Sequence, residues 1–131
     1  MSNPQKAKGD GYERELAAYI NDNTGLDCSR APLSGGADLL GVPNLFIEAK
    51  RVERLNFHDA MRQAERNRTS RATDDVPVVI NRKNRMKTGD SLCLLRLDDL
   101  LTFYRAYLCQ EGFVKEDECQ SVQSAEANKK L

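Results

Sequence analysis

The sequence predicts an α/β protein with a mixed central sheet of about five strands flanked by helices. Three observations carry that expectation. Residues 76–80 and 91–95 are almost continuous apolar runs of strand length, the pattern of strands covered on both faces. Residues 45–52 start apolar and pass into Glu48-Ala49-Lys50. Period-two alternation puts Phe46, Glu48 and Lys50 on one face and Leu45, Ile47 and Ala49 on the other. Residues 10–23, 56–69 and 98–110 repeat apolar residues every three or four positions, as helices with one buried face do.

Taken in order, residues 1–8 read as a tail. Asp10 caps a helix to about Asn23, with Tyr12, Leu16, Tyr19 and Ile20 as its stripe. Glu13 stands three residues after Asp10, which fits a capping box. It also lies in line with Ala17 and Ile20, along the edge of the buried face. Thr24-Gly25 ends the helix. A short strand over 26–31 leads to a glycine turn at 32–36, where a ligand can approach the backbone closely. Residues 38–40 and 45–52 are expected to form a hairpin about the turn 41–44. Asn56 caps a second helix to about Thr69, with Phe57, Ala60, Met61 and Ala64 inward. Residues 76–80 form a buried central strand, 81–89 a basic loop, and 91–95 another buried strand. Asp98 or Asp99 opens a third helix to Gln110, with Leu100, Leu101, Tyr104 and Leu108 as its core stripe. The order is α-β-β-β-α-β-β-α in a single domain, with residues 1–8 and about 112–131 as flexible tails. There is no internal repeat and no linker.

The 131 residues are 40% hydrophobic and 31% charged, ordinary for a soluble globular domain. No apolar run approaches the roughly 20 residues that cross a bilayer, and the first residues carry no apolar signal core, so a cytoplasmic protein is expected. Four cysteines without a CxxC pair, beside a single histidine, make a structural zinc site unlikely; four free, mainly buried thiols are expected. His58 reads as a surface residue in the first turn of its helix. The net charge is zero, which argues against a general nucleic-acid coat. The charge is nevertheless uneven, with eleven basic against five acidic residues from Lys50 to Lys87. That excess suits phosphate binding or a solvated helix face and charged loop.

The chemistry gathers between Ser34 and Arg51. A carboxylate and an amine at the end of an apolar strand are costly unless they bind something or each other. Asp38 begins the preceding strand, so two carboxylates and a cation can converge. Phosphodiester hydrolysis asks for that set. Hard oxygen ligands suit Mg²⁺, with Mn²⁺ as a substitute. The metal polarises the phosphoryl group and acidifies water, and a cation offsets the developing charge.

The arrangement Asp38 … Glu48-Ala49-Lys50 resembles the core of the PD-(D/E)XK nucleases, with Gly36-Ala37-Asp38 in place of the family's Pro-Asp. Glu13 on an early helix, Gln63 on the helix after the strand and the element order strengthen the likeness. Arg30-Ala-Pro-Leu-Ser34-Gly35 resembles the turn of the small archaeal-type Holliday junction resolvases, including phage-borne versions. The resemblance covers about residues 9–105. It implies a restriction-endonuclease-like core and a Mg²⁺-dependent endonuclease that resolves four-way junctions in DNA recombination and repair. Glu13, Asp38, Glu48 and the Ala49 carbonyl would bind one or two ions. Lys50 would position the water, Ser34 would touch the scissile phosphate or metal-bound water, and Gln63 would orient Lys50 or the water. A solvent-facing amide is the plainer reading of Gln63. Arg30, Arg51, Arg54, Arg62, Arg66, Arg82, Lys83, Arg85 and Lys87 would grip branched double-stranded DNA. Two cuts on a junction of approximate two-fold symmetry imply a homodimer. A restriction- or repair-like nuclease acting on other DNA structures, and a non-catalytic DNA-binding module of the same fold, are the alternatives.

Overall fold

Nine elements are found among the described residues, and the placement of one βαβ unit decides where the polar residues meet. The computed structural model describes residues 4–32, 36–71, 73–115 and 119, with side chains from Gly9 onward. Among these, three helices and five strands form a mixed α/β structure. They run α1 (Pro4–Thr24), β1 (Ser29–Arg30), β2 (Leu39–Leu40), β3 (Leu45–Lys50), α2 (Phe57–Ser70), β4 (Val76–Asn81), a 3₁₀ turn at Thr88–Asp90, β5 (Leu92–Leu94) and α3 (Leu97–Gln110). Two compact units are present, Met1–Leu95 and Arg96–Leu131.

The strands do not join one five-stranded sheet. β1 and β2 pair antiparallel as a small sheet of their own, and β3, β4 and β5 form a second in the order β3-β4-β5. The expected hairpin of β2 and β3 is reduced to a link, in which the Asp38 N–H donates to the Ile47 carbonyl at 2.8 Å. The turn before β3 consumes the register, with Gly41 at φ 85° and Asn44 at φ 66°. A Cβ on Gly41 would stand 3.2 Å from the Asp27 carbonyl oxygen, so side chains are excluded there.

β3 and β4 are parallel, from Leu45 opposite Val76 to Lys50 opposite Asn81, and α2 makes the crossover between them. β4 is central and buried along nearly its whole length, as its apolar run predicts. β5 pairs antiparallel with β4 but is an exposed edge, with Leu92 61% exposed. A short apolar run does not by itself say which side of a strand is covered. The two faces of the sheet meet different helices. Ile47, Val78 and Ile80 pack with Tyr12, Leu16 and Ala17 of α1, and Val79 packs with Ala60, Met61 and Ala64 of α2. Ile47, 1% exposed, is the middle of the first cluster. Ile47→Ala is expected to cost about 2–5 kcal/mol of unfolding free energy, read by denaturant titration.

Asn56 caps α2 as its sequence position predicts, its side chain accepting from the Asp59 N–H at 3.1 Å. α1 starts earlier than expected. It runs through Asp10 from Pro4, so Asp10 is helical and Glu13 closes no capping box. α3 is capped by Arg96 without a side-chain hydrogen bond, and none of its residues is buried, so the expected core stripe of Leu100, Leu101, Tyr104 and Leu108 is not realised. Within that unit Cys109 is disulfide-bonded to Cys119, against the expectation of four free thiols. Gly112, φ 77°, ends the helix between the two cysteines. Among the described residues Cys28 and Cys93 are free. No helix there is long and apolar enough to cross a membrane.

Candidate active site

β3 and α2 run past each other in opposite directions and nearly in step. Two residues of strand advance about 6.6 Å, and four residues of helix about 6 Å. Lys50 Nζ donates to Gln63 Oε1 at 3.1 Å. Two residues back along β3 and four forward along α2, Asn67 Nδ2 donates to Glu48 Oε1 at 2.8 Å. The helix therefore supplies one amide to the cation and another to the carboxylate.

Asp38 reaches the same place from the far side. Its Oδ2 accepts from the Ala49 N–H at 2.7 Å, and its carboxyl lies within hydrogen-bonding reach of Glu48. Ala49 thus meets the site through its N–H, which orients Asp38. Burial pushes the Asp38 carboxyl above the ordinary carboxylate range, against the opposing pull of the Ala49 N–H and the Lys50 charge. Burial also raises Glu48; the Asn67 amide lowers it and the negative charge of Asp38 adds to the rise. Two neighbouring carboxyl groups, one buried and one half-buried, that both resist ionising can share a proton, or release it when a cation arrives. Their hard oxygens suit Mg²⁺, which commonly takes one or two carboxylates and fills its remaining positions with water and phosphate.

Glu13 stands close enough for the Asp38 charge to raise it, second to its own burial, but Arg30 engages it. Arg30 Nε donates to Glu13 Oε2 at 2.9 Å, and Arg30 Nη2 lies 2.8 Å from Asp10 Oδ1. Among the described residues no group of three or more carboxylate, histidine or cysteine side chains is arranged to hold one ion. The pair Asp38 and Glu48 is thus the assembled part of the expected ligand set, and Glu13 is held beside it. Ser34, and with it Leu33 and Gly35 of the glycine turn, lies outside the described residues.

The basic residues separate into two groups. Arg54, Arg62, Arg66, Lys83, Arg85 and Lys87 are exposed, with Arg62 paired to Asp59 one helical turn away. Arg51 is half-buried and donates to Asn84 Oδ1 at 3.2 Å. Arg30 is held by two acids. Arg82, expected to grip DNA, is instead buried at 8% exposure. It donates to the Met86 carbonyl and to Glu15, and lies over the Tyr12 ring at 5.4 Å. It is an internal strut between α1 and the loop after β4. Tyr12 in turn donates to Ser91 Oγ at 2.9 Å, tying α1 to the start of β5.

Asn67 is the residue that sequence reasoning missed. The available signal was the pairing of an i, i+4 amide pair on a helix with an i, i+2 Glu-x-Lys on the preceding strand. Asn67→Ala leaves Glu48 buried without its donor, which pushes its carboxyl further up. If the pair takes up a divalent ion, Asn67→Ala is expected to weaken Mg²⁺ binding about 10- to 100-fold in a calorimetric titration.

Comparison of the chain with protein-family models, with curated proteins and with solved structures finds no match.

Proposed function

We propose that the protein is a Mg²⁺-dependent DNA endonuclease of the PD-(D/E)XK type that resolves four-way junctions as a homodimer, in recombination or repair in the cytoplasm. One observation carries the reading. A buried carboxyl group, Glu48, and a half-buried one, Asp38, meet beside Lys50, with Glu48 and Lys50 held by successive turns of one helix. A structural ion pair needs one acid for one base. A second acid that must lose its proton in a buried place is costly, and a bound divalent ion offsets that cost.

When bound there, Mg²⁺ would supply Lewis-acid polarisation of the phosphate and a more acidic water. The chain's own groups do the rest. Asp38 and Glu48 present the oxygens, and the Ala49 N–H and Asn67 fix their direction. Lys50, steadied by Gln63, faces the negative charge that grows on the phosphoryl oxygens and helps orient the attacking water. For Glu13 to join as a third ligand, Arg30 must let it go and pair with Asp10 or with phosphate. The exposed cations Arg54, Arg62, Arg66, Lys83, Arg85 and Lys87 supply contacts to the DNA backbone that fix position without reading sequence.

Competition tests the reading. A fixed four-way junction is offered together with linear, nicked and flapped duplexes of matched sequence in Mg²⁺. Paired, symmetric cuts in the junction ahead of all other substrates are expected. Equal or preferred cutting of nicked or flapped DNA would transfer the site to a repair-like nuclease. No cutting of any of them, with DNA still bound, would leave a binding module.

A further inference from the structure

The register that joins α2 to β3 continues one step beyond the carboxylate. Four residues after Asn67 stands Arg71, and two residues before Glu48 stands Phe46. Both border a cavity of about 430 Å³. Ala37, Leu39 and Leu40, on either side of Asp38 and beyond it, line it as well, and so does Asp75. Phe46 shares its face of β3 with Glu48, about 7 Å away. The cavity is thus the next position along the track that holds Lys50 and Glu48. Its volume falls in the range of small-ligand sites, and its lining is mostly apolar with a few polar groups at the edge, as such sites are.

The polar groups limit what fits. Arg71 lines the cavity, its Nε 3.4 Å from where a Cβ on Gly36 would stand, so a planar cation lies against a bare stretch of backbone. A guanidinium there can stack on a flat ring or meet a phosphate. Asp75 is among the lining residues and brings a carboxylate acceptor; its backbone N–H donates to Thr73 Oγ1 at 3.1 Å. A lipid chain would find no use for either charge. A nucleobase has an apolar face for the walls, an exocyclic amine for a carboxylate, and a phosphate on each side for the arginine and the carboxylate site.

We propose that this cavity receives an unstacked, amino-bearing base of the DNA strand, one nucleotide from the phosphate cut at Asp38 and Glu48. The inference rests on the nuclease reading and narrows its substrate to DNA that can release a base there. Bases at a branch point are the least costly to unstack, since pairing and stacking are already interrupted. The cavity would then contribute to substrate choice through deformability, without reading a sequence.

The experiment uses 2-aminopurine, a base whose fluorescence rises when it leaves the stack. It is placed in turn at each position within three nucleotides of the cut in a four-way junction, and the full-length protein is added without Mg²⁺. Emission is expected to rise at least threefold at one position. Leu40→Phe narrows the cavity from a half-exposed position and should remove most of that rise. A junction lacking the base at that position should be cut by wild type and Leu40→Phe at equal rates, although the variant cuts the ordinary junction at least fivefold more slowly. Junctions cut normally by wild type with flat emission at every position would overturn the cavity assignment and leave the nuclease reading intact. Failure to cut or bind any DNA would overturn both.

Discussion

Lys50→Ala is expected to lower DNA cutting by about 100- to 1000-fold while leaving DNA binding within about twofold. Lys50 is half-buried at the end of β3, and its Nζ donates to Gln63 Oε1. Its charge falls on both Asp38 and Glu48. Removing it takes away the cation whose charge falls on both carboxylates but none of the exposed arginines and lysines proposed to hold the backbone. Lys50→Arg should not restore activity, because a planar fork cannot occupy the position of a compact ammonium. Gln63→Ala should produce the same defect in weaker form. Single-turnover cutting beside a binding titration measures the split, and full activity in Lys50→Ala would exclude the mechanism.

Asp38→Asn is expected to lose cutting to a similar extent and to make the protein more stable at neutral pH by about 1 kcal/mol, roughly 4 °C in melting temperature. Both Asp38 and Glu48 carry raised carboxyl pKa values, so the folded chain keeps their protons where the unfolded chain has lost them. Folded stability then declines as pH rises from the ordinary carboxylate range through the shifted values. An asparagine keeps the acceptor for the Ala49 N–H, donates its amide to Glu48 and cannot ionise. Its melting temperature should therefore vary less with pH. Mg²⁺ should raise the wild-type melting temperature at neutral pH and leave the variant almost unchanged. Identical melting curves for the two proteins from pH 5 to 8, with and without Mg²⁺, would show that these carboxylates do not share a charge problem.

What the sequence made legible was local. The apolar run of β4 and the Asn56 cap of α2 could be read because each depends on neighbouring residues alone. The Glu48-x-Lys50 pair could be placed on one strand face for the same reason. What it concealed depended on distant partners. Arg82 looks like any loop arginine until Tyr12 and Glu15, some 70 residues earlier, close over it. Arg30 looks like a DNA contact until Asp10 and Glu13 claim it, and the same pairing accounts for a helix that continues through Asp10 rather than starting there. β5 illustrates a different limit, since an edge strand and an interior strand can have the same apolar run. Asn67 was hidden by its ordinary company. A polar residue on a charged helix reads as solvated unless its four-residue spacing is laid against the two-residue spacing of the strand beneath.

The pairing of α2 with β3 behaves as two scales of a vernier. Their divisions differ by about 0.6 Å, so marks that coincide at Lys50 and Glu48 still nearly coincide at Phe46. A scale of this kind tolerates a shift of its origin poorly. One residue inserted between Gln63 and Asn67 would turn the rest of the helix by about 100° and misalign the carboxylate and the cavity together, leaving Lys50 set. The same insertion in the joint beside the exposed Arg54, between the Val52–Asn81 bonds and the Asn56 cap, disturbs these marks least. Change in this region therefore has a permissive joint and a forbidden ruler, and a chain drifting in length should record its differences in the joint.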